Sequence, residues 1–455
     1  MADPGAMVMS VSDDTICAVA TPPGSGGLGI VRISGPRASA ICEALVGSLP
    51  PARFATLADF RDADGSVIDS GIVLYFPAPR SFTGEDVVEL QGHGGAHVLR
   101  RVVQRVLALG GRGARPGEFS ERAFLNDKID LVQAEAIADL IESGTDAAAR
   151  AAQRSLQGEF SRRVHALQTR LTELRVFVES AIDFPDEEID FLAESDVLER
   201  IGRIRGELDE LLRGARQGRL LRDGIVMAIV GRPNAGKSSL LNALSGQDSA
   251  IVTDIPGTTR DVLRELIDLD GIPVHVADTA GIRETEDVIE AEGVRRARAA
   301  LAGADIVLLV EDARAPDDEA AALYRELPDH ATVIRVDNKV DLLGSETPRP
   351  VTARRVWISA KTGAGLGELR TRIREAVGAS DQSEGNFSAR QRHVDALKRA
   401  GAHLETGHRE MAESGSGELL AEELRLAQTA LGEITGEMLA DDLLGEIFSS
   451  FCIGK

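Results

Sequence analysis

Gly231-Arg232-Pro233-Asn234-Ala235-Gly236-Lys237-Ser238 follows the phosphate-loop pattern: a glycine, four residues, then Gly-Lys-Ser. The apolar run Ile225–Val230 before it reads as a buried strand, and Ser239-Leu240-Leu241-Asn242-Ala243-Leu244 after it as the start of a helix. A strand entering a helix through glycines aims several backbone N–H groups and the positive helix end at one point, which suits a polyphosphate. Lys237 would reach the β- and γ-phosphates, and the Ser238 hydroxyl would ligate Mg²⁺. Four further motifs follow in order. Gly257-Thr258-Thr259-Arg260-Asp261 sets Thr259 to meet Mg²⁺ only when a γ-phosphate is present. Asp278-Thr279-Ala280-Gly281 ends the strand Val274–Ala277; Asp278 would hold Mg²⁺ through water and the Gly281 N–H would sense the γ-phosphate. Asn338-Lys339-Val340-Asp341 follows the strand Val333–Val336, and the Asp341 carboxylate can accept from N1–H and the 2-amino group of guanine. Adenine would leave that carboxylate unpaired. Ser359-Ala360-Lys361 closes the base pocket. Five motifs in this order and spacing predict a GTPase domain over roughly residues 216–380.

One familiar part is missing. Ile282 follows Gly281, where Ras-type proteins place a water-orienting Gln, and an aliphatic side chain cannot hydrogen-bond water. A nearby carboxylate is the natural substitute, with Glu284, Glu286, Glu290 and Glu292 as candidates. Positive charge at the transition state must come from Arg260, Arg283 or a monovalent cation held by the Asn234 side-chain oxygen. Taken singly, each of these residues reads equally well as an exposed charge of a switch region.

Elements that position this chemistry can be read from the rest of the chain. At 455 residues it is too long for one ordinary core and predicts about three domains. The net charge of −22 argues against holding nucleic acid by bulk electrostatics, which needs clustered Lys and Arg. No apolar run approaches the roughly 20 residues of a membrane span, and Met1–Asp14 has neither an apolar signal core nor Arg-rich transit character, so a cytoplasmic location is expected. Cys17, Cys42 and Cys452 are too few and scattered for a disulfide framework or zinc site.

Residues 10–115 read as mixed α/β, with apolar runs at Ile16–Ala20, Gly29–Ile33, Gly71–Phe76 and Val87–Leu90 and helical spacing from Val98 to Leu107. Gly24-Ser25-Gly26-Gly27-Leu28-Gly29 matches the dinucleotide fingerprint but opens a strand, Ile30-Val31-Arg32-Ile33, where the fingerprint requires a helix. A glycine loop bringing Arg32 to a ligand or an interface is the better reading. Gly92-His93-Gly94-Gly95-Ala96-His97 lies between a strand and a helix. With no carboxylate or Cys at ligand spacing, it reads as a flexible turn before it reads as a metal site. From Ala123 the texture is helical. Phe160, Val164, Leu167, Leu171, Leu174, Val178 and Ile182 form one apolar stripe, stopped by Pro185, and Ile201, Ile204, Leu208 and Leu211 form a second. Stripes return at Leu420, Leu424, Leu431, Ile434 and Met438. These flanks predict one helical domain split by an inserted nucleotide domain, with linkers at Arg213–Asp223 and 378–386.

Across nearly its whole length the chain resembles the MnmE (TrmE) family of bacterial tRNA-modifying GTPases. The resemblance is carried by Thr21-Pro22-Pro23-Gly24, Phe82-Thr83-Gly84-Glu85-Asp86, Gln91-Gly92-His93-Gly94-Gly95 and Arg115-Pro116-Gly117-Glu118-Phe119-Ser120. Asn126-Asp127-Lys128, the GTPase motifs and the tail Phe451-Cys452-Ile453-Gly454-Lys455 complete it. Met1–Ser10 lies outside the pattern. The resemblance implies a multidomain α+β and α/β protein. Its parts are an N-terminal tetrahydrofolate-binding and dimerisation domain (1–125), a discontinuous all-α helical domain (126–215 and 381–455) and an inserted Ras-like P-loop GTPase domain (216–380). It implies action with an FAD-containing partner of the MnmG type, in a heterotetramer with tRNA. The reaction adds an aminomethyl-type group (aminomethyl or carboxymethylaminomethyl) to C5 of the wobble uridine, U34, of certain tRNAs. A 5-formyl- or 5,10-methylene-tetrahydrofolate supplies the one-carbon unit, and glycine or ammonium the amine.

By the same resemblance, Arg32, Glu89, Lys128 and Lys455 line the folate site. The nucleotide site adds Thr253, Asp254, Ile255, Pro256, Gly257, Thr258 and Thr259 to residues 234–239, Asp278–Gly281, Asn338, Lys339, Asp341 and Ser359–Lys361. K⁺ replaces an arginine finger, bound by Asn234 and the carbonyls of Thr253, Ile255 and Thr258. Glu290 positions water, chosen among the carboxylates on family placement alone, and Asn234 and Lys237 complete the catalytic set. Cys452 is either a nucleophile or, as we favour, a buried thiol packing the tail. The rival class is a regulatory or ribosome-assembly GTPase with no modification role; its usual basic RNA-binding module has no counterpart in this acidic chain.

Overall fold

A computed structural model describes residues 14–183, 196–232, 234–246, 264–277, 301–314, 330–343, 352, 354–379, 387–437, 441–451 and 454. The chain divides into two compact units. One comprises Met1–Ala138, Val164–Arg175 and Leu424–Lys455, the other Asp139–Arg163 and Val176–Glu423.

The first unit is built on six strands: β1 (Ile16–Val19), β2 (Gly26–Ser34), β3 (Thr56–Arg61), β4 (Val67–Phe76), β5 (Val87–Gly94) and β6 (Arg112–Gly113). Their order is β3-β4-β5-β2-β1-β6, antiparallel except for β1 with β6. Alternation along the strands sends Val31, Ile33, Val73, Val88 and Leu90 into the core. Helices α1 (Ala38–Val46) and α2 (Ala96–Ala108) supply Ile41, Cys42, Leu45, Leu99, Val102 and Val106 to the same core. The intervening residues Arg32 and Glu89 face the other way, directly opposite each other in the β2–β5 register. Helix α3 (Glu118–Leu125) follows; α4 (Leu131–Glu142) comes after it. The last helix of the chain, α12 (Asp441–Ser449), returns to this unit, where Leu444, Phe448 and Phe451 pack with Leu131 and Ala134.

Two expectations for this region change. Gly92-His93-Gly94 is not a turn: all three belong to β5, and only Gly95 remains to cap α2. The carboxylate that meets His93 is distant in sequence: the β4 residue Asp69 accepts from its backbone N–H at 2.7 Å and meets its Nδ1 at 2.7 Å. That contact explains an ordered strand end. Among the described residues no cluster of His, Cys, Asp and Glu could hold a metal.

The second unit holds a sheet of β7 (Ile225–Gly231), β8 (Arg264–Leu269), β9 (Ile272–Ala277), β10 (Ile306–Asp312), β11 (Thr332–Asn338) and β12 (Arg355–Trp357). The order is β12-β11-β10-β7-β9-β8, parallel throughout except for the edge strand β8. Ile225, Met227, Ala228, Ile229 and Val230 are all buried, the near-continuous apolar run of a parallel strand covered on both faces. Helices α8 (Lys237–Ser245) and α9 (Leu366–Ala376) contribute Leu240, Leu244, Leu369 and Ile373 to its core.

The same unit contains α5 (Asp146–Leu156), α7 (Val197–Asp223) and α10 (Gln391–Ser414); α6 (Glu159–Asp183) and α11 (Gly417–Thr435) run through both units. Every stripe position from Phe160 to Val178, from Ile201 to Leu211, and Leu420, Leu424, Leu431 and Ile434 is buried; Met438 and Pro185 lie outside the described residues. Segments before and after the nucleotide sheet do partner each other: α7 packs along α10 with Leu208 against Gly401, and Phe160 stacks on Phe387 at 4.3 Å. The linker expected at Arg213–Asp223 is instead the end of α7, which keeps its buried face through Ala215, Gly218, Leu220 and Leu221. Burying that face against residues 387–389 favours helix over loop. Among the described residues no helix is long and apolar enough to cross a membrane.

Candidate functional site

β7 lies between β9 and β10, where the chain order of the sheet reverses, and ligands in open α/β sheets bind outside the strand carboxyl ends at such a point. Gly231 ends β7 and Lys237 opens α8, so the phosphate loop spans this crevice. Gly236 has φ of +97°, and a Cβ there would lie 2.3 Å from the Asn338 amide nitrogen. Only glycine lets the helix start this close to the base loop. Lys237 folds over its own loop and donates to the carbonyls of Gly231 at 2.8 Å and Arg232 at 3.0 Å. Burial lowers its pKa. Ser238 and Ser239 are exposed on the first turn of α8. A hydroxyl at that position is the hard oxygen donor Mg²⁺ prefers.

Asn338 ends β11 and joins the two loops. Its amide donates to the Ala235 carbonyl at 3.0 Å, and its Oδ1 accepts from the N–H groups of Lys339 at 2.7 Å and Ala360 at 3.0 Å. Lys339 donates to the Asn234 carbonyl at 2.5 Å and to Asp312 at 2.8 Å. Ser359 donates to Asp341 Oδ1 at 2.6 Å, while its Oγ accepts from the Thr362 N–H at 3.2 Å; this orients the carboxylate. Lys361 is exposed beside it. Thus Asn234–Ser239, Asn338, Lys339, Asp341 and Ser359–Lys361 form one constellation. Thr253–Thr259, Asp278–Gly281 and Glu290 lie outside the described residues; β9, described to Ala277, leads directly to Asp278. Nothing local in the sequence marks Asp312; only the β10–β11 register sets it opposite Asn338.

The first unit holds a second constellation. Arg32 donates from Nε to Glu89 at 3.0 Å and from Nη1 to the Gly454 carbonyl at 3.4 Å. The rings of Phe82 and Phe119 lie 5.9 and 5.7 Å from its guanidinium carbon. The loop carrying Phe82 is tied down by Glu85, which accepts from Ser34 at 2.6 Å and from the buried Arg122 at 3.0 Å. Arg122 also reaches Asp14 and Glu118. Asn126 donates to the Thr83 carbonyl at 2.7 Å, and the Lys128 ammonium is held by the Pro79 carbonyl at 2.9 Å. Gly454 packs on β1 so closely that a Cβ would come within 2.4 Å of the Val19 carbonyl oxygen. Phe451, buried against Phe448, anchors the tail upstream. Lys455 and Cys452 lie outside the described residues. The glycine-rich run opens no helix: its Gly26, Gly27, Leu28 and Gly29 are already part of β2, and Arg32 is delivered by that strand and not by a loop. Phe82 and Phe119 sit in segments that carry the family resemblance; Arg122 lies just beyond one of them, and nothing local in the sequence marks it.

A phosphate loop bonded to an Asn-Lys-x-Asp base loop, on a sheet with one antiparallel edge, defines a P-loop protein of the GTPase class. A family profile described as "MnmE helical domain" matches residues 131–452, and one described as "GTP-binding protein TrmE N-terminus" matches 15–128. The tRNA modification GTPase MnmE of Stutzerimonas stutzeri is 58% identical over 453 residues, 97% of this chain and 99% of that one. Its namesake from Pseudomonas aeruginosa is 58% identical over 458 residues, 98% of this chain and 100% of that one. The chain belongs to the MnmE family. Solved structures similar to part of it include an Aquifex aeolicus Era variant bound to GDP·AlF4⁻, at 28% identity over 39% of this chain and 66% of that one with TM-score 0.29. The G domain of the T. maritima FeoB iron transporter is another, at 26% identity over 33% of this chain and 98% of that one with TM-score 0.25. The assignment rests on the whole-chain relatives.

Proposed function

We propose that this chain is a K⁺-stimulated GTP hydrolase acting in tRNA modification. The observation that carries the reading is the bond from Asn338 to Ala235, which locks a guanine-selective loop to a phosphate loop. Asp341, oriented by Ser359, selects guanine; Lys237 leaves the loop carbonyls to meet the β- and γ-phosphates. Mg²⁺, with Ser238 and Thr259 as protein ligands and Asp278 through water, would neutralise phosphate charge. K⁺, with Asn234 and the carbonyls of Thr253, Ile255 and Thr258 as ligands, would supply the positive charge an arginine finger gives elsewhere. Glu290 would orient the attacking water, replacing the Gln that Ile282 cannot be. Hydrolysis measured in K⁺ and Na⁺ at equal ionic strength tests this: strong stimulation by K⁺ is expected, and equal rates would sink the cation assignment.

The same reading extends to the first unit. A tetrahydrofolate derivative would bind at Arg32, Glu89, Lys128 and Lys455 and supply the one-carbon unit; the forked guanidinium between two aromatic rings supports a flat, polar-edged ligand such as a pterin. The product would be a C5-aminomethyl-type group on U34 of certain tRNAs. The chain would act as a cytoplasmic homodimer paired with an MnmG-type flavoprotein that holds FAD, with domains near 1–125, 126–215, 216–380 and 381–455. Analysis of wobble uridines in tRNA from cells lacking the protein is the direct test. Unaltered modification would favour a switch GTPase with no modification role.

A further inference from the structure

Asp312 is the last residue of β10 and stands directly opposite Asn338 in the β10–β11 register. Its carboxylate is fully engaged. Oδ1 accepts from the Arg314 N–H at 3.1 Å and Nε at 3.0 Å, and Oδ2 from Arg314 Nη2 at 2.7 Å and Lys339 Nζ at 2.8 Å. The hydrogen bonds from Arg314, followed by those from Lys339, hold this carboxyl well below the usual carboxylate range, so it stays charged in any working buffer.

The ammonium that Asp312 holds makes its other bond to the Asn234 carbonyl at 2.5 Å. Asn234 has φ of +63° and Lys339 φ of +68°. Both are non-glycine residues in the left-handed region, a conformation that persists only when surrounding contacts impose it. Fixing the Asn234 carbonyl fixes the 234–235 peptide plane and so restrains ψ at Asn234, which together with its φ governs how the side chain leaves the loop.

We propose that Asp312 is a positioning residue that, through Lys339, sets the conformation of Asn234 in the phosphate loop and so tunes how well that loop holds a monovalent cation. This rests on the assignment of Asn234 as a K⁺ ligand. An isolated surface ion pair between Asp312 and Lys339 would do no such thing: it would alter neither nucleotide release nor cation dependence.

Two readouts on the full-length protein separate these cases. At saturating GTP, Asp312→Asn should raise the K⁺ concentration for half-maximal hydrolysis roughly tenfold, the size of one lost charge-assisted contact. Higher K⁺ should restore the rate, and Asp312→Glu should recover part of the shift. In Na⁺ alone, Asp312→Asn should also speed release of fluorescent GDP severalfold while preference for guanine over adenine persists, because Asp341 is untouched. An unchanged K⁺ midpoint with wild-type hydrolysis still K⁺-dependent overturns the proposal. Wild-type hydrolysis indifferent to K⁺ overturns the cation assignment instead; the coupling of Asp312 to the loop is then decided by GDP release, an unchanged rate of which overturns it. Arg314→Ala, which leaves every contact of Lys339 in place but loosens the carboxylate, should move both readouts the same way by a smaller factor, and no movement in either counts against the proposal if Asp312→Asn does not fold.

Discussion

The Asn338 side chain lies against the start of α8, donating to the Ala235 carbonyl at 3.0 Å, with its nitrogen only 2.3 Å from where a Cβ on residue 236 would lie. Base loop and phosphate loop are therefore tied directly to each other, with Lys339 adding a second bond to the Asn234 carbonyl. Asn338→Ala would leave the buried Ala235 carbonyl and the Ala360 N–H without this partner. A loss of about 1–3 kcal/mol in urea unfolding is expected, together with weaker binding of GDP and GTP alike.

Glu290→Ala should retain GTP binding but lose turnover by roughly a hundredfold or more, the usual worth of a positioned proton acceptor. Single-turnover hydrolysis with a fluorescent nucleotide separates the two steps. Unchanged turnover moves the role to Glu284, Glu286 or Glu292.

Arg32→Lys keeps a charge but loses the fork that meets Glu89 and spans Phe82 and Phe119. Calorimetric titration with 5-formyl-tetrahydrofolate should show at least a tenfold loss of affinity, about 1.4 kcal/mol, while GDP binding in the other unit is retained. Equal folate affinity would remove Arg32 from that site.

Gly218 tests the corrected boundary of α7. A Cβ there would lie 2.0 Å from the Phe387 carbonyl oxygen, a backbone atom that cannot rotate away. Gly218→Ala should cost roughly 1–3 kcal/mol, as overpacking of a close contact does, seen as a lower urea midpoint. An unchanged midpoint would mean that this segment is the linker its composition suggested.

Burial pushes the Cys17 thiol up to about 11 and, with Glu43 adding repulsion, the Cys42 thiol up to about 12. Both lie in the core of the first sheet. Neither should react with iodoacetamide at pH 8 until the protein is unfolded, as mass spectrometry of the peptides would report. The unfolded chain loses these protons near pH 9 and the folded one does not, so stability falls as pH rises from about 9 towards 11–12.

The nucleotide site was legible because its parts are local: Gly231–Ser238 and Asn338–Asp341 each carry their chemistry within a few residues. The stripes of α6, α7 and α11 were legible for the same reason. What escaped depends on register. Asp69 reaches His93, and Asp312 reaches Lys339, only because strands distant in sequence lie side by side. β3 gave little signal because it is an edge strand with only Phe60 buried. α10 could have been found from Val394, Leu397, Leu404 and Met411, all buried on one face. Arg213–Asp223 misled because its charges read as solvated linker, while Ala215, Gly218, Leu220 and Leu221 carry the buried face between them.

That continuous helix has a mechanical consequence. α7 is 27 residues long, about 40 Å at the helical rise, and a single residue, Gly224, separates it from β7. The Gly224 N–H still bonds to the Leu220 carbonyl at 3.0 Å, so the joint has almost no slack. A tilt of about 5° at the phosphate-loop end of such a rod would swing its far end by roughly 3.5 Å. Motion generated at one nucleotide would thus leave the sheet through a stiff lever rather than being absorbed in a tether.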